Sequence, residues 1–187
     1  MNTMFSFQSF PQLETDRFIL RKSEEWDVRD IFELYSNKEV MRYTPLSPFS
    51  TQEDAVQEMY WHWEIFTRQI GLRWVMEEKQ SGKVIGSCGF LNYSKENSRT
   101  EIGYDLTPSF WRQGMMAEAA ARIVAFGFRE MGLNRIEAKV EPANIASIRL
   151  LTKLGFHQED QMRKYEFEKG RFMDLLIFSL LRQQDLP

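Results

Sequence analysis

From Leu72 to Leu106 the hydrophobic positions come in short runs, LRWVMEEK, VIGSCGFLNY and TEIGYDL, divided by the polar segments SGK and SKENSR. Runs of that length joined by short polar turns predict three strands in an antiparallel meander. Elsewhere the period lengthens. After a first strand in RFILRK, Arg17 to Lys22, helical spacing appears at Val28, Ile31, Leu34 and Tyr35 within Glu25 to Asn37. Pro45 and Pro48 break that pattern, and Ser50 or Thr51 is placed to cap the next helix. From Thr51 to Ile70 the residues Ala55, Met59, Trp63, Phe66 and Ile70 form one apolar stripe. That stripe makes Trp63 a core residue, leaves Trp61 to line a pocket, and puts His62 on the surface.

Beyond the meander, Met116, Ala120, Ile123, Gly127 and Phe128 predict a helix from about Met115 to Met131, with Glu118 and Arg122 four apart on another face and Gly132 ending it. RIEAKVE, Arg135 to Glu141, reads as a strand, and PANIASIRLLTKLGF as a short helix closed by Gly155. Phe156 to Phe167 and Phe172 to Leu181 read as two closing strands. The order β-α-α-β-β-β-α-β-α-β-β predicts an α+β fold in one domain, residues 1–187, and consecutive hairpin strands exclude a doubly wound nucleotide fold.

Composition narrows the function. A lone Cys allows no internal disulfide, and two His form no metal-ligand cluster, so a metal-free chain is expected. Cys88, inside a strand and without a His nearby in sequence, reads as a packing residue. The opening MNTMFSFQSF lacks the basic start and apolar core of a secretory leader, and no window reaches the ~20 apolar residues of a membrane span, which predicts a cytoplasmic protein with no membrane partner. A net charge of −3 argues against a nucleic-acid surface. Exposed strand edges leave room for a homodimer.

The chemistry concentrates in SFWRQGMMAEAA, where a single Gly precedes a helix whose first N–H groups have no partner, an arrangement suited to an anion. It is neither G-x-x-x-x-G-K-[ST] nor G-x-G-x-x-G, so ATP and NAD fingerprints fail. Taken in order, TEIGYDLTPSFWRQGMMAEAA, NRIEAKVEPANIASIRLLTKLGF and a closing strand pair resemble a Gcn5-related N-acetyltransferase, and most of all the branch that acetylates ribosomal-protein N-termini. The resemblance spans about Leu13 to Leu181. It implies a central, mostly antiparallel sheet of about seven strands flanked by about four helices. It also implies acetyl-CoA as donor and an amine as acceptor: a protein N-terminal α-amine, or alternatively a polyamine or amino sugar. A non-catalytic acyl-CoA-binding module is the reading outside enzymes.

The family's pyrophosphate loop, Q/R-x-x-G-x-G/A, falls on Trp111, Arg112, Gln113, Gly114, Met115 and Met116, with Trp111 in place of a polar residue and Met116 in place of a small one. The resemblance gives backbone N–H groups from Arg112 to Ala117 to the diphosphate, the backbone of Leu106 and Thr107 to the cofactor arm, and Asn144 and Ser147 to the pantetheine and sulfur. Asn144 and Ser147 also suit helix capping. Glu101 is the candidate base, or else a solvated carboxylate paired with Arg99 or Lys139. The backbone of Tyr104 or Asp105, in a bulge eased by Gly103, is the candidate oxyanion donor. Ser147 is the candidate partner of the leaving thiolate, with Tyr165 or Tyr104 as rivals. Lys153 fits a solvated helix face, and Tyr43, Thr44, Trp61 and Phe172 are candidate acceptor-pocket residues.

Overall fold

The computed structural model describes residues 5–183, so the leading MNTM of the leader reading lies outside the described residues. Alternation becomes one sheet. Its strands are β1 (Leu13–Glu14), β2 (Phe18–Arg21), β3 (Leu72–Glu78), β4 (Val84–Ser94), β5 (Arg99–Leu106), β6 (Arg135–Val140), β7 (His157–Glu168) and β8 (Arg171–Leu181), in the spatial order β1-β2-β3-β4-β5-β6-β8-β7. The helices are α1 (Val28–Ser36), α2 (Gln52–Thr67), α3 (Met115–Arg129) and α4 (Ile145–Lys153). The fold class and element order agree with the sequence. The additional strand is β1, whose two residues are too few to show a period.

Helices cover both faces of the sheet, and the alternation of β3 shows how. Leu72, Trp74 and Met76 join the core beneath α3, while Val75 joins a smaller core with Ile31, Leu34, Tyr35 and Ala55 of α1 and α2. Thr51 caps α2 as expected, accepting from the Asp54 N–H while Asp54 reaches back to the Thr51 N–H at 2.9 Å. The apolar stripe of α2 needs correction. The buried residues are Ala55, His62, Ile65 and Phe66, Trp63 is 49% exposed, and Ile70 lies beyond the helix. The core-facing stripe passes through Glu58 and His62, two polar residues that an apolar pattern skips.

One seam in the sheet is unlike the others. Among the described residues all ladders are antiparallel except β5–β6, which is parallel and joins only Arg99–Glu101 to Arg135–Glu137. Past Glu101 the two strands part, and from Ile102 onward β5 has a ladder on its β4 side alone. Its pairing with β4 runs without a shift from Glu101 to Leu106, so the expected bulge at Tyr104–Asp105 is absent, and the fork with β6 is what frees the β5 backbone there. The root of the fork is fastened by Asn134 N–H and Arg135 N–H donating to the Ser98 carbonyl, and by Arg99 and Arg135 pairing with Glu137.

Candidate active site

Strand β5 builds the site because its side chains divide between the two faces. Ile102, Tyr104 and Leu106 pack toward α3 and Glu101 and Asp105 alternate with them, and where the fork opens Glu101, Ile102, Tyr104 and Asp105 all border one cleft of about 500 Å³. That division follows the period of two. The cleft is roofed by the segment after α1, where Tyr43 donates to the Ala143 carbonyl at 3.1 Å and the Met41 carbonyl accepts from Lys169 at 2.6 Å. Tyr43, Thr44 and Trp61 line it as expected. Phe172 does not: it is exposed at the far hairpin, edge-on to Phe167.

On the α3 side, Gly114 stands at φ +74° as the residue before α3, a left-handed conformation that Gly adopts without strain. No side chain caps this helix. Glu118 N–H is the first to return to the ladder, donating to the Gly114 carbonyl at 3.1 Å, so the amides of Met115, Met116 and Ala117 have no helical acceptor. Arg112 is also left-handed, at φ +61°. The loop is fixed from outside: Trp111 Nε1 donates to the Leu106 carbonyl at 2.7 Å, Gln113 Nε2 to the Ser109 carbonyl at 2.8 Å, and Arg17 Nη1 to the Gln113 carbonyl at 3.0 Å. Glu118 pairs with Arg17 at 2.6 Å rather than with Arg122. Trp111 thus braces the loop, and Met116 is buried in the core beneath it. Thr107 N–H donates to the Ile85 carbonyl at 2.9 Å, which ties the Leu106–Thr107 turn to β4.

Asn144 is the N-cap of α4, its Oδ1 accepting from the Ser147 N–H at 3.2 Å. Capping and cleft position coincide, since both residues also line the cleft. Ser147 Oγ lies 2.7 Å from the Tyr104 hydroxyl, so two of the rivals for the thiolate form one hydrogen-bonded pair. Burial pushes the Tyr104 hydroxyl up to about 12, against the opposing bond from Ser147. Tyr165 is half exposed, with its ring under the Lys139 ammonium. Lys153 is exposed, as its solvated-face reading required.

On the α1–α2 side, Glu101 accepts from Asn92 Nδ2 at 3.1 Å and lies 3.3 Å from Lys139 Nζ, which also reaches Glu166 at 3.5 Å. Lys139 is the partner, and Arg99 is held by Glu137 instead. Burial works against the Lys139 charge, but the carboxylates of Glu101 and Glu166 hold its pKa above the usual value.

Asp105 sits in a buried network that the sequence did not disclose. Arg73 bonds Asp105 and donates to Ser87 Oγ at 2.8 Å, while Tyr35 bonds Ser87 at 2.7 Å and donates to Asp105 at 3.2 Å. Gly103 makes room for it, because a Cβ there would meet Arg73 Nη1 at 3.1 Å. Burial pushes the Asp105 carboxyl up and Arg73 pulls it back. Beside them His62 is 2% exposed, against the surface expectation, and burial lowers its pKa. Cys88 is fully buried, and burial pushes its thiol up to about 12, in keeping with a packing role.

Comparison with known proteins agrees with this architecture. A family model described as "Acetyltransferase (GNAT) domain" matches residues 17–157. The "Uncharacterized N-acetyltransferase YoaA" of Bacillus subtilis is 36% identical over 94% of this chain and 99% of its own. Among solved structures, the ribosomal-protein-S5-alanine acetyltransferase of Vibrio fischeri superposes with a TM-score of 0.79 at 22% identity, covering 95% of this chain and 100% of that one. The spermidine N-acetyltransferase of Vibrio cholerae, in complex with CoA and spermine, gives 0.76 at 23% identity, covering 89% and 96%.

Proposed function

The chain belongs to the acetyltransferase (GNAT) domain family and is an N-acetyltransferase, and from that premise we propose that its acceptor is a protein N-terminal α-amine, acetylated by direct transfer from acetyl-CoA. The observation that carries the reading is the Tyr104–Ser147 pair at the fork of β5 and β6, beside an uncapped helix N-terminus and opening on a cleft of about 500 Å³. The uncapped amides from Arg112 to Ala117 and the left-handed Gly114 fit a diphosphate, with Leu106 and Thr107 along the arm. Acetyl-CoA, when bound, supplies an activated thioester. Ser147, oriented by its bonds to Asn144 and Tyr104, shares the charge of the departing sulfur, and Tyr104 donates through it. Glu101 accepts the proton lost by the amine, through water. An α-amine ordinarily titrates at about 7.7–8.0 and a lysine at about 10.4, so the α-amine needs less help to lose that proton. The β5 backbone freed by the fork offers N–H groups to the developing oxyanion.

A small-amine acceptor is the second reading, favoured by the many carboxylates of the cleft and by the likeness to a spermidine acetyltransferase. Thiol release decides between them. Turnover of peptides beginning with Ser or Ala, lost when the N-terminus is blocked and lowered at least about tenfold in Glu101→Gln, supports the proposal. Turnover of spermidine or glucosamine but of no peptide replaces it. Acetyl-CoA binding with turnover of no acceptor supports the non-catalytic module.

A further inference from the structure

Six carboxylates line the cleft, Glu58, Glu101, Asp105, Glu141, Glu166 and Glu168, against the two cations Arg73 and Lys139. Four of the six are engaged: Glu101 and Glu166 share Lys139, Asp105 holds Arg73, and Glu141 lies 3.6 Å from Arg171. Among the described residues Glu58 and Glu168 have no Lys or Arg within ion-pairing distance. Glu58 is nearly buried, its side chain 11% exposed on the core-facing stripe of α2.

The neighbour of Glu58 adds a second, independent anomaly. His62 Nε2 lies 3.3 Å from Glu58 Oε1, yet neither ring nitrogen of His62 forms a hydrogen bond, although the side chain is 3% exposed. A buried polar group without a partner destabilises the fold, so such groups persist where another demand holds them. Here the unpartnered imidazole faces a nearly buried carboxylate that has no Lys or Arg within ion-pairing distance and opens on the cleft. A carboxylate in that setting is stabilised by a positive charge arriving from the cleft.

We propose that Glu58, with His62 behind it as a positioning residue, receives a second positive charge on the acceptor, apart from the amine that is acetylated. The inference rests on the N-acetyltransferase reading and deepens it. The amine to be acetylated lies at the fork, between Glu101 of β5 and the Tyr104–Ser147 pair, whereas Glu58 borders the same cleft from α2. One nitrogen does not occupy both places. The acceptor class is therefore a diamine, or a peptide with a basic side chain close to its free N-terminus.

The test measures binding to CoA-loaded protein by saturation-transfer NMR, comparing 1,4-diaminobutane with 4-amino-1-butanol, which has the same length and one charge fewer. A second arm compares Ala-Lys-Ala amide with Ala-norleucine-Ala amide and identifies the source of the second charge. In at least one arm wild-type protein prefers the doubly charged probe about tenfold, and Glu58→Gln erases the preference with CoA affinity and melting temperature unchanged. His62→Phe, which keeps the volume, reduces the preference, and His62→Gln, which restores a polar group, recovers it. Preference absent from wild type in both arms, or retained in Glu58→Gln, overturns the proposal. Both arms are repeated without CoA, so a chain that binds no CoA defeats the parent reading while the Glu58 comparison still gives its own answer.

Discussion

The two faces of β5 are built by different means. On the α3–α4 face each functional group sits close in sequence to the element that positions it: Gly114 before its helix, Asn144 as the cap of α4, Ser147 three residues on. On the α1–α2 face the polar groups come from positions 35, 58, 62, 73, 87 and 105, on five different elements, and meet only when the sheet is assembled. The first face places backbone amides by local geometry. The second places side-chain charges by long-range packing, and a single substitution there disturbs more of the fold.

The sharpest way to break the contrast is Arg73→Met. It leaves Asp105 buried without its cation, and stability should fall by about 3–5 kcal/mol in urea unfolding, with Arg73→Met/Asp105→Asn losing less. On the other face, Ser147→Ala should cost about 1 kcal/mol of stability for the bond lost to the buried Tyr104 hydroxyl, well short of Arg73→Met, yet lower kcat about 100-fold in the thiol-release assay. A kcat within twofold of wild type would remove Ser147 from the chemistry. Gly114→Trp should weaken acetyl-CoA about tenfold in calorimetry, equivalent to about 1.4 kcal/mol, and cost a further ~1 kcal/mol of stability for its left-handed backbone.

The smallest effect is a pH dependence. His62 faces Glu58 on its own helix, with Arg73 of β3 and Asp105 of β5 nearby, and burial outweighs the two carboxylates to depress its pKa. A depressed folded pKa means that the unfolded chain binds more protons, so this contribution to stability is complete above the unfolded value of about 6.5 and is lost as pH falls toward the folded one. His62→Phe should therefore lose less melting temperature than wild type between pH 7.5 and pH 5.5. Equal losses would mean that His62 does not titrate in that window.

This difference also explains what the sequence disclosed. Element order, the capping of α2 and α4 and the loop before α3 all depend on neighbours within a few residues, and all were readable. The placement of His62 and Trp63 was not. An apolar stripe drawn through α2 steps around Glu58 and His62, because helical spacing alone does not reveal that a core-facing position is polar. Arg73 was hidden in the same way, a charged residue inside a strand whose neighbours are fully buried. Phe172 failed as a pocket residue because the closing hairpin extends beyond the cleft.

The short parallel seam between β5 and β6 also orders the assembly of the molecule in time. Strands β2 to β5 are joined by antiparallel ladders, and β3 to β5 close over brief turns, contacts that a growing chain can make early. The seam needs Arg99 to meet Arg135 across the whole of α3, for three residue pairs of ladder, so its loop-closure entropy is offset late. Refolding should accordingly be biphasic, with amides of β3 and β4 protected from hydrogen exchange before those of β6 and β8. The cleft, which exists only where the seam ends, would then be the last feature to form.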